Sequence, residues 1–291
     1  MVVKKYHLVV SFAFIFAMAV TMVIAAVPAA APAETAVETD ELVEIAPEDS
    51  MAQPCHNSIT YIVAKKLGLS NYRAGIMRDA ANMPDYYQAP AGGSINIVWS
   101  HAFYINSWGW VWWGDADDDF HDNLDGDSGE WESPEGFNGK SAAYYYNRGN
   151  QATGDWYVGY ATHYIEDISF SVLHSTGGAE FLLHHSDYEN WINNNWETGH
   201  NFKATVESVS SSSYKYISEP KAAIKAAAKG SNYHKSYKAR TAWKNFKSSG
   251  FPTGVGSGNW AAVYYTKLML KETAKWTGGA VVYALNKYNQ W

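Results

Sequence analysis

The stretch "THYIEDISFSVLHS", residues 162–175, reads as amphipathic helix, yet it carries His163, Glu166, Asp167 and His174 within a dozen positions. Further on, "HHSDYENW" adds His184, His185 and Glu189. The chain has only ten histidines, and four of them lie between 163 and 185. On an α-helix, residues four apart sit one above the other. His163 with Asp167, and His185 with Glu189, therefore each present an imidazole and a carboxylate on adjacent turns. Such a pair can grip one cation, and these are the usual zinc ligands where thiolates are absent. Acids make up about a tenth of the chain, so ten histidines give about one such pair by chance. The two pairs alone are weak, and a lone histidine beside a tyrosine is more often a hydrogen-bonded core residue. The ordered set His56, Asp85, His101, His163, Asp167, His174, His185 and Glu189 carries more.

Around this stretch helical periodicity dominates from residue 56 onward. "HNSITYIVAKKLGL" places Ile59, Ile62, Val63 and Leu67 on one side and ends at Gly68. "SAAYYYNRGNQATGDWYVGYATHYIED" reads as two helices broken at Gly149 to Gly154. "YENWINNNW" is a further helix. "SEPKAAIKAAAKG" has Pro early and Gly at its end, the expected asymmetry. "YHKSYKARTAWKNFKSSG" and "NWAAVYYTKLMLKETAKW" follow as helices. Strand-like alternation is scarce and no internal repeat is present. The expected fold is all-α, a single helical bundle, with long irregular loops around 84–135.

The first 54 residues stand outside that fold. Lys4 and Lys5 precede an uncharged apolar run over 8–27, followed by "PAAAPAETA". Residues 1–27 resemble a secretory signal; an uncleaved membrane anchor is the alternative, because about 20 apolar residues span a bilayer. Either way the rest is expected outside the cytoplasm, secreted or anchored. Residues 28–54 are Ala/Pro-rich and carry seven acids, as a solvated spacer or pro-segment does. That leaves 55–291 as the folded domain. From residue 56 onward 22 acids face 20 bases, a net charge of −2, so there is no basic excess to hold nucleic acid. Cys55 is the one cysteine, which excludes an intrachain disulfide. The expected state is a monomer.

The ordered set resembles the zinc-dependent bacterial phospholipases C, whose catalytic domain is an all-helical bundle holding three zinc ions. The resemblance runs from His56 to about Lys275. Its most specific piece is "HYIED…LHS…HHSDYENW", similar to the family's His-Tyr-x-x-Asp run, a following His, and then His-Ser-x-Tyr-Glu-Asn. "CHNSI", "NMPDYY" and "WSHAFY" resemble the early His-containing helix, the Pro-Asp turn and the Ser-His-Phe segment. The resemblance implies one zinc on Asp85, His101, His163 and Asp167. It implies a second on His174, His185 and Glu189, and a third on His56 and Asp167, with Asp167 bridging two metals. Asp85 is then either general base or ligand. The family completes its third site with a mature N-terminal Trp, but no Trp precedes residue 98 here. The resemblance then leaves a processed terminus of another type, or the Cys55 thiolate, to take that place. The step from Asp167 to His174 is also one residue longer than the family shows. Of His184 and His185, only the latter has the four-residue step to Glu189.

The implied activity is phospholipase C: cleavage of glycerophospholipid to diacylglycerol and a phosphorylated headgroup at a membrane surface. Zinc-bound water has a pKa near 7 and paired metals steady the attacking and leaving oxygens. A single-strand-specific zinc nuclease is the nearest alternative, since those enzymes share the fold and the three zincs. Their last motif resembles Asn-Leu-His-x-x-Trp-Asp, whereas this chain has "HSDYE". A secreted binding protein with structural zinc and no turnover is the third reading. The Trp-rich "SWGWVWWGD", 107–115, reads as a buried aromatic cluster or as a lip for the headgroup layer. Tyr86 and Phe103 are candidates for contact with substrate, as walls of a cage for a quaternary ammonium. "DADDDFHDNLDGDSGEWE", 115–132, fails the EF-hand template and is expected to be a solvated acidic loop, a calcium loop being the alternative. The Lys-rich stretch 221–247 reads as a helical surface.

Overall fold

The computed structural model describes residues 54–84, 104–105, 111–113, 116–126, 140–170, 185–230, 238, 241–242, 245–246 and 254–291. Residues 50–291 form one compact unit. The architecture is all-α. The helices are α1 (Pro54–Lys66), α2 (Asn71–Ala80), α3 (Ala116–Asp125), α4 (Ala142–Tyr146), α5 (Gln151–Ser169), α6 (His185–Asn194), α7 (Phe202–Glu207), α8 (Pro220–Gly230) and α9 (Trp260–Lys287). Between α2 and α3 a short antiparallel hairpin pairs β1 (Tyr104–Ile105) with β2 (Val111–Trp113). Among the described residues no helix is long and apolar enough to cross a membrane; the apolar run 8–27 and the acidic spacer lie outside them.

Helix ends follow local chemistry. α1 starts on Pro54 and closes with Gly68 at φ +87°, where the Gly68 and Leu69 amides donate to the Lys65 and Ala64 carbonyls. That left-handed turn is what glycine supplies without strain. Ser70, Ser141, Asn150 and Asn259 cap α2, α4, α5 and α9, each accepting from a backbone amide three residues on. Glu219 accepts from the first amides of α8.

α5 is the axis of the bundle. It is buried from Gly154 to Ser169, apart from half-buried Trp156, and α1, α2, α3, α4, α8 and α9 all pack against it. A helix covered all round must be apolar, or must have its polar groups satisfied by neighbours. α5 takes both routes. Val158, Ile165 and Ile168 are fully buried, while Asp155, Thr162, His163, Glu166 and Asp167 are held by side chains or backbone from elsewhere. Gly159 is where α2 comes closest: a Cβ there would collide with the backbone of Met77.

Two local expectations are corrected. The chain breaks at 147–150, not over Gly149 to Gly154. Asn150 caps α5, and Gly154 sits within its first turn because the Tyr146 ring occupies the place of a Cβ. The acidic stretch 115–132 is not simply a solvated loop, since 116–125 form α3. Its apolar stripe Ala116, Phe120 and Leu124 recurs every fourth residue and is buried, a signal hidden by the charge count. Asp117, Asp118 and Asp119 occupy its first turn, where negative charge suits the helix dipole. Of the Lys-rich stretch 221–247, residues up to 230 lie on α8, which buries Ala223, Ile224, Ala227 and Ala228; most of the remainder lies outside the described residues.

Candidate metal centre

α1 and α5 bring three of the expected ligands together. His56 lies on the first turn of α1, and His163 and Asp167 lie one turn apart on α5. All three are buried, and they offer ligand atoms within 4.8 Å of one another. His56 Nε2 is 3.4 Å from Asp167 Oδ1, and His163 Nε2 is 3.3 Å from Asp167 Oδ2. Atoms held about 2.0–2.1 Å from one tetrahedral zinc stand ~3.3 Å apart. Each Asp167 oxygen faces a different imidazole, the disposition of a carboxylate that either chelates one ion or bridges two.

The far side of each ring fixes its tautomer. His56 Nδ1 is 2.7 Å from Glu166 Oε2, and His163 Nδ1 is 2.8 Å from the Ala81 carbonyl. That carbonyl lies at the C-terminus of α2, where helical carbonyls lack partners along the chain. Both Nδ1 atoms are therefore donors, and in the neutral rings both Nε2 lone pairs turn towards the Asp167 carboxylate. Protons could quench this gathering of acceptors, but the two rings stack with centroids 4.3 Å apart. Two imidazolium ions at that distance, out of water, repel strongly. A divalent cation satisfies all three acceptors at once, and a carboxylate or carbonyl on the other ring nitrogen is the usual support for a metal-binding histidine. The donor set fits zinc.

Glu166 is in turn held from two other helices. Its Oε1 accepts from Thr60 Oγ1 at 2.8 Å on α1 and from Thr277 Oγ1 at 3.1 Å on α9, while Thr162 Oγ1 lies 2.8 Å from Thr60 Oγ1. Burial pushes the Glu166 carboxyl up, against the pull of His56. Burial and His163 work against the His56 imidazolium, yet the Glu166 bond and the Asp167 charge leave its pKa raised.

A cavity of about 40 Å³ opens beside the triad, lined by Cys55, His56, Asp167, Phe170, Glu189 and Thr273 among others. A water needs about 10–15 Å³ by this measure, so the space takes an ion or a few waters. Glu189 reaches this cavity from α6, one turn after His185 on the same helix. Cys55 donates from Sγ to Asn193 Oδ1 at 2.8 Å; burial first, then Glu189 and Glu166, push its thiol well up.

The expected set thus divides. His56, His163 and Asp167 converge, and Glu189 lines the same cavity. Asp85, Tyr86, His101, Phe103 and His174 lie outside the described residues, as does the side chain of His185. Sequence reasoning gave no role to Glu166, Thr60, Thr277 or the Ala81 carbonyl. A signal for Glu166 existed: it stands between Ile165 and Ile168, and an acid drawn into the core with such neighbours requires a buried partner. Comparison of the chain with protein-family models, curated proteins and solved structures returned no match.

Proposed function

We propose that this chain is a metal-dependent phosphodiester hydrolase and, within that class, a zinc phospholipase C releasing diacylglycerol and a phosphorylated headgroup from glycerophospholipid outside the cytoplasm. The observation that carries the metal centre is the opposition of two Nδ1-tethered imidazoles across the Asp167 carboxylate. The choice of lipid rests on the resemblance of the His56–Lys275 motifs. Bound zinc would supply acidified water and charge to offset a phosphodiester.

The chain's own part is to hold and shield. Glu166 and the Ala81 carbonyl orient His56 and His163 with Nε2 turned inward. Phe170, Ile192 and Leu270 give the cavity apolar walls that limit water and strengthen electrostatic interactions inside. Glu189 adds a carboxylate at its edge. Asp85 is the proposed general base, taking a proton from the attacking water.

A second reading, a closed structural metal site, is favoured by the near-complete burial of His163 and Asp167 and the small cavity. The experiment measures metal per mole, then hydrolysis of a chromogenic phosphocholine ester with and without chelator, with single-stranded DNA assayed in parallel. Zinc-dependent ester cleavage supports the phospholipase. Bound zinc without turnover of either substrate supports the structural site, and DNA cleavage alone supports a nuclease.

A further inference from the structure

On α9 a second surface faces away from the metal cavity. Trp260, Tyr264, Lys267 and Lys271 recur at steps of four, three and four residues, which places them on one helix face. Leu270 and Thr273, on another face, line the metal cavity. Trp260 is 76% exposed and Tyr264 43% exposed, and their rings stack at 5.0 Å with an interplanar angle of 11°. Val255, 63% exposed, stands in the loop just before the helix. That loop is pinned: Ser257's carbonyl accepts from Trp191 Nε1 at 2.8 Å and lies 2.6 Å from His200 Nε2, while Asn195 Oδ1 accepts from the Gly256 amide at 2.7 Å.

Beside the stripe runs an open groove of about 380 Å³ between α7 and α9, lined by His200, Thr205, Ser208, Tyr264, Lys267 and Lys271 among others. Among the described residues no carboxylate lines it, and neither lysine has an ion-pair partner. Single exposed aromatics are ordinary on a protein surface. A stacked Trp–Tyr pair flanked by an aliphatic tip and followed by two lysines is a more specific combination. Amphipathic rings favour the headgroup layer of a bilayer, and lysines next to it are drawn to anionic lipid. Nucleic acid also pairs aromatic and cationic groups, but the net charge of −2 beyond residue 55 gives no broad basic field to hold a polyanion.

We infer that the Val255–Trp260–Tyr264 tip with Lys267 and Lys271 is a docking face for an anionic phospholipid bilayer. It rests on this surface and not on the hydrolase reading. The rings enter the headgroup region while the lysines meet lipid phosphates at its edge.

The test places an environment-sensitive fluorophore on V255C in the full chain, with the parent, labelled at Cys55 alone, as the blank. The label reports on this tip whatever residues 8–27 do in the same vesicle. With vesicles of mixed phosphatidylglycerol and phosphatidylcholine, emission shifts to the blue; with phosphatidylcholine alone it does not. K267E/K271E weakens the lipid-dependent shift roughly tenfold or more, and W260A/Y264A abolishes it. Trp260, Tyr264 and Lys271 are exposed and Lys267 is half-buried, and circular dichroism of the variants is expected to stay that of the parent. A label on Y72C, an exposed site on α2, stays unshifted. No shift at 255, an equal shift at 72, or a shift with single-stranded DNA in place of vesicles overturns the proposal. Headgroup release, followed with unlabelled protein on the same vesicles, reports separately on hydrolysis.

Discussion

His56 Nδ1 lies 2.7 Å from Glu166 Oε2, on the residue just before Asp167. Adjacent side chains on one buried helix thus divide the work: Asp167 faces the Nε2 atoms of two histidines, while Glu166 holds one of those rings from behind. Removing such a support typically costs a metal site about 10–100-fold in affinity. E166A is expected to weaken zinc binding by that much in competition with a chromophoric chelator. E166Q, which keeps an acceptor for Nδ1, should fall between E166A and the parent. Equal affinities in all three would deny Glu166 this role.

Metal removal should loosen the fold as well as any chemistry, because the three converging ligands tie α1 to α5. At 100 times its dissociation constant a ligand stabilises the native state by about 2.7 kcal/mol. For a domain of this size that corresponds to a melting temperature about 5–10 °C lower in excess chelator. Scanning calorimetry with chelator, then with zinc restored, checks both the loss and its reversal.

Gly159 links packing to the centre. A Cβ there meets backbone rather than a yielding side-chain tip, so G159A must push α2 away from α5. Overpacking of this kind costs about 1–3 kcal/mol. The same shift carries the Ala81 carbonyl away from His163 Nδ1, now 2.8 Å distant. G159A is therefore expected to lose zinc affinity together with stability. G75A, on α2 with open space at its Cβ, should lose neither, as chelator competition and urea unfolding will show.

Arg73 and Asp155 form a forked pair, Nε to Oδ2 at 2.7 Å and Nη2 to Oδ1 at 2.8 Å, with the Tyr146 hydroxyl donating to Oδ1 at 2.6 Å. Asp155 is fully buried. R73M strands its charge, and breaking a buried pair from one side costs about 3–5 kcal/mol. The expected fall in melting temperature is about 10 °C, with zinc stoichiometry unchanged because the pair lies outside the metal cavity.

Burial, with help from Asp118, raises the Asp117 carboxyl from an ordinary 3.8 to about 6. An acid raised in the folded state adds stability that is fully present below the unfolded pKa and lost as pH rises through the folded one. Its contribution should therefore decline from about pH 4 to about pH 6. D117N removes that decline: its urea midpoint, compared with the parent's, should be relatively higher at pH 7 than at pH 4.

Much of the helical layout was legible because periodicity and caps are local properties. The Ile59–Ile62–Val63 stripe, Gly68 after α1 and Pro220 opening α8 all stand where the sequence puts them. The two four-residue pairs, His163 with Asp167 and His185 with Glu189, do lie on helices. The charge density of 115–132 concealed α3, since a stripe of one apolar residue in four is easily lost among acids. The break before α5 was misplaced because glycine signalled it while Asn150 made it.

The sequence by itself determined the helical class and which residue types could bind a metal, since backbone preference and donor chemistry belong to each residue. Only the tertiary structure decided that His56, some 110 residues from its partners in the chain, turns Nε2 towards Asp167 while Glu166, braced by Thr60 and Thr277, holds its Nδ1. Ring orientation depends on what lies behind each nitrogen. Here that is set by helices meeting across the core, a relation not encoded in any local spacing.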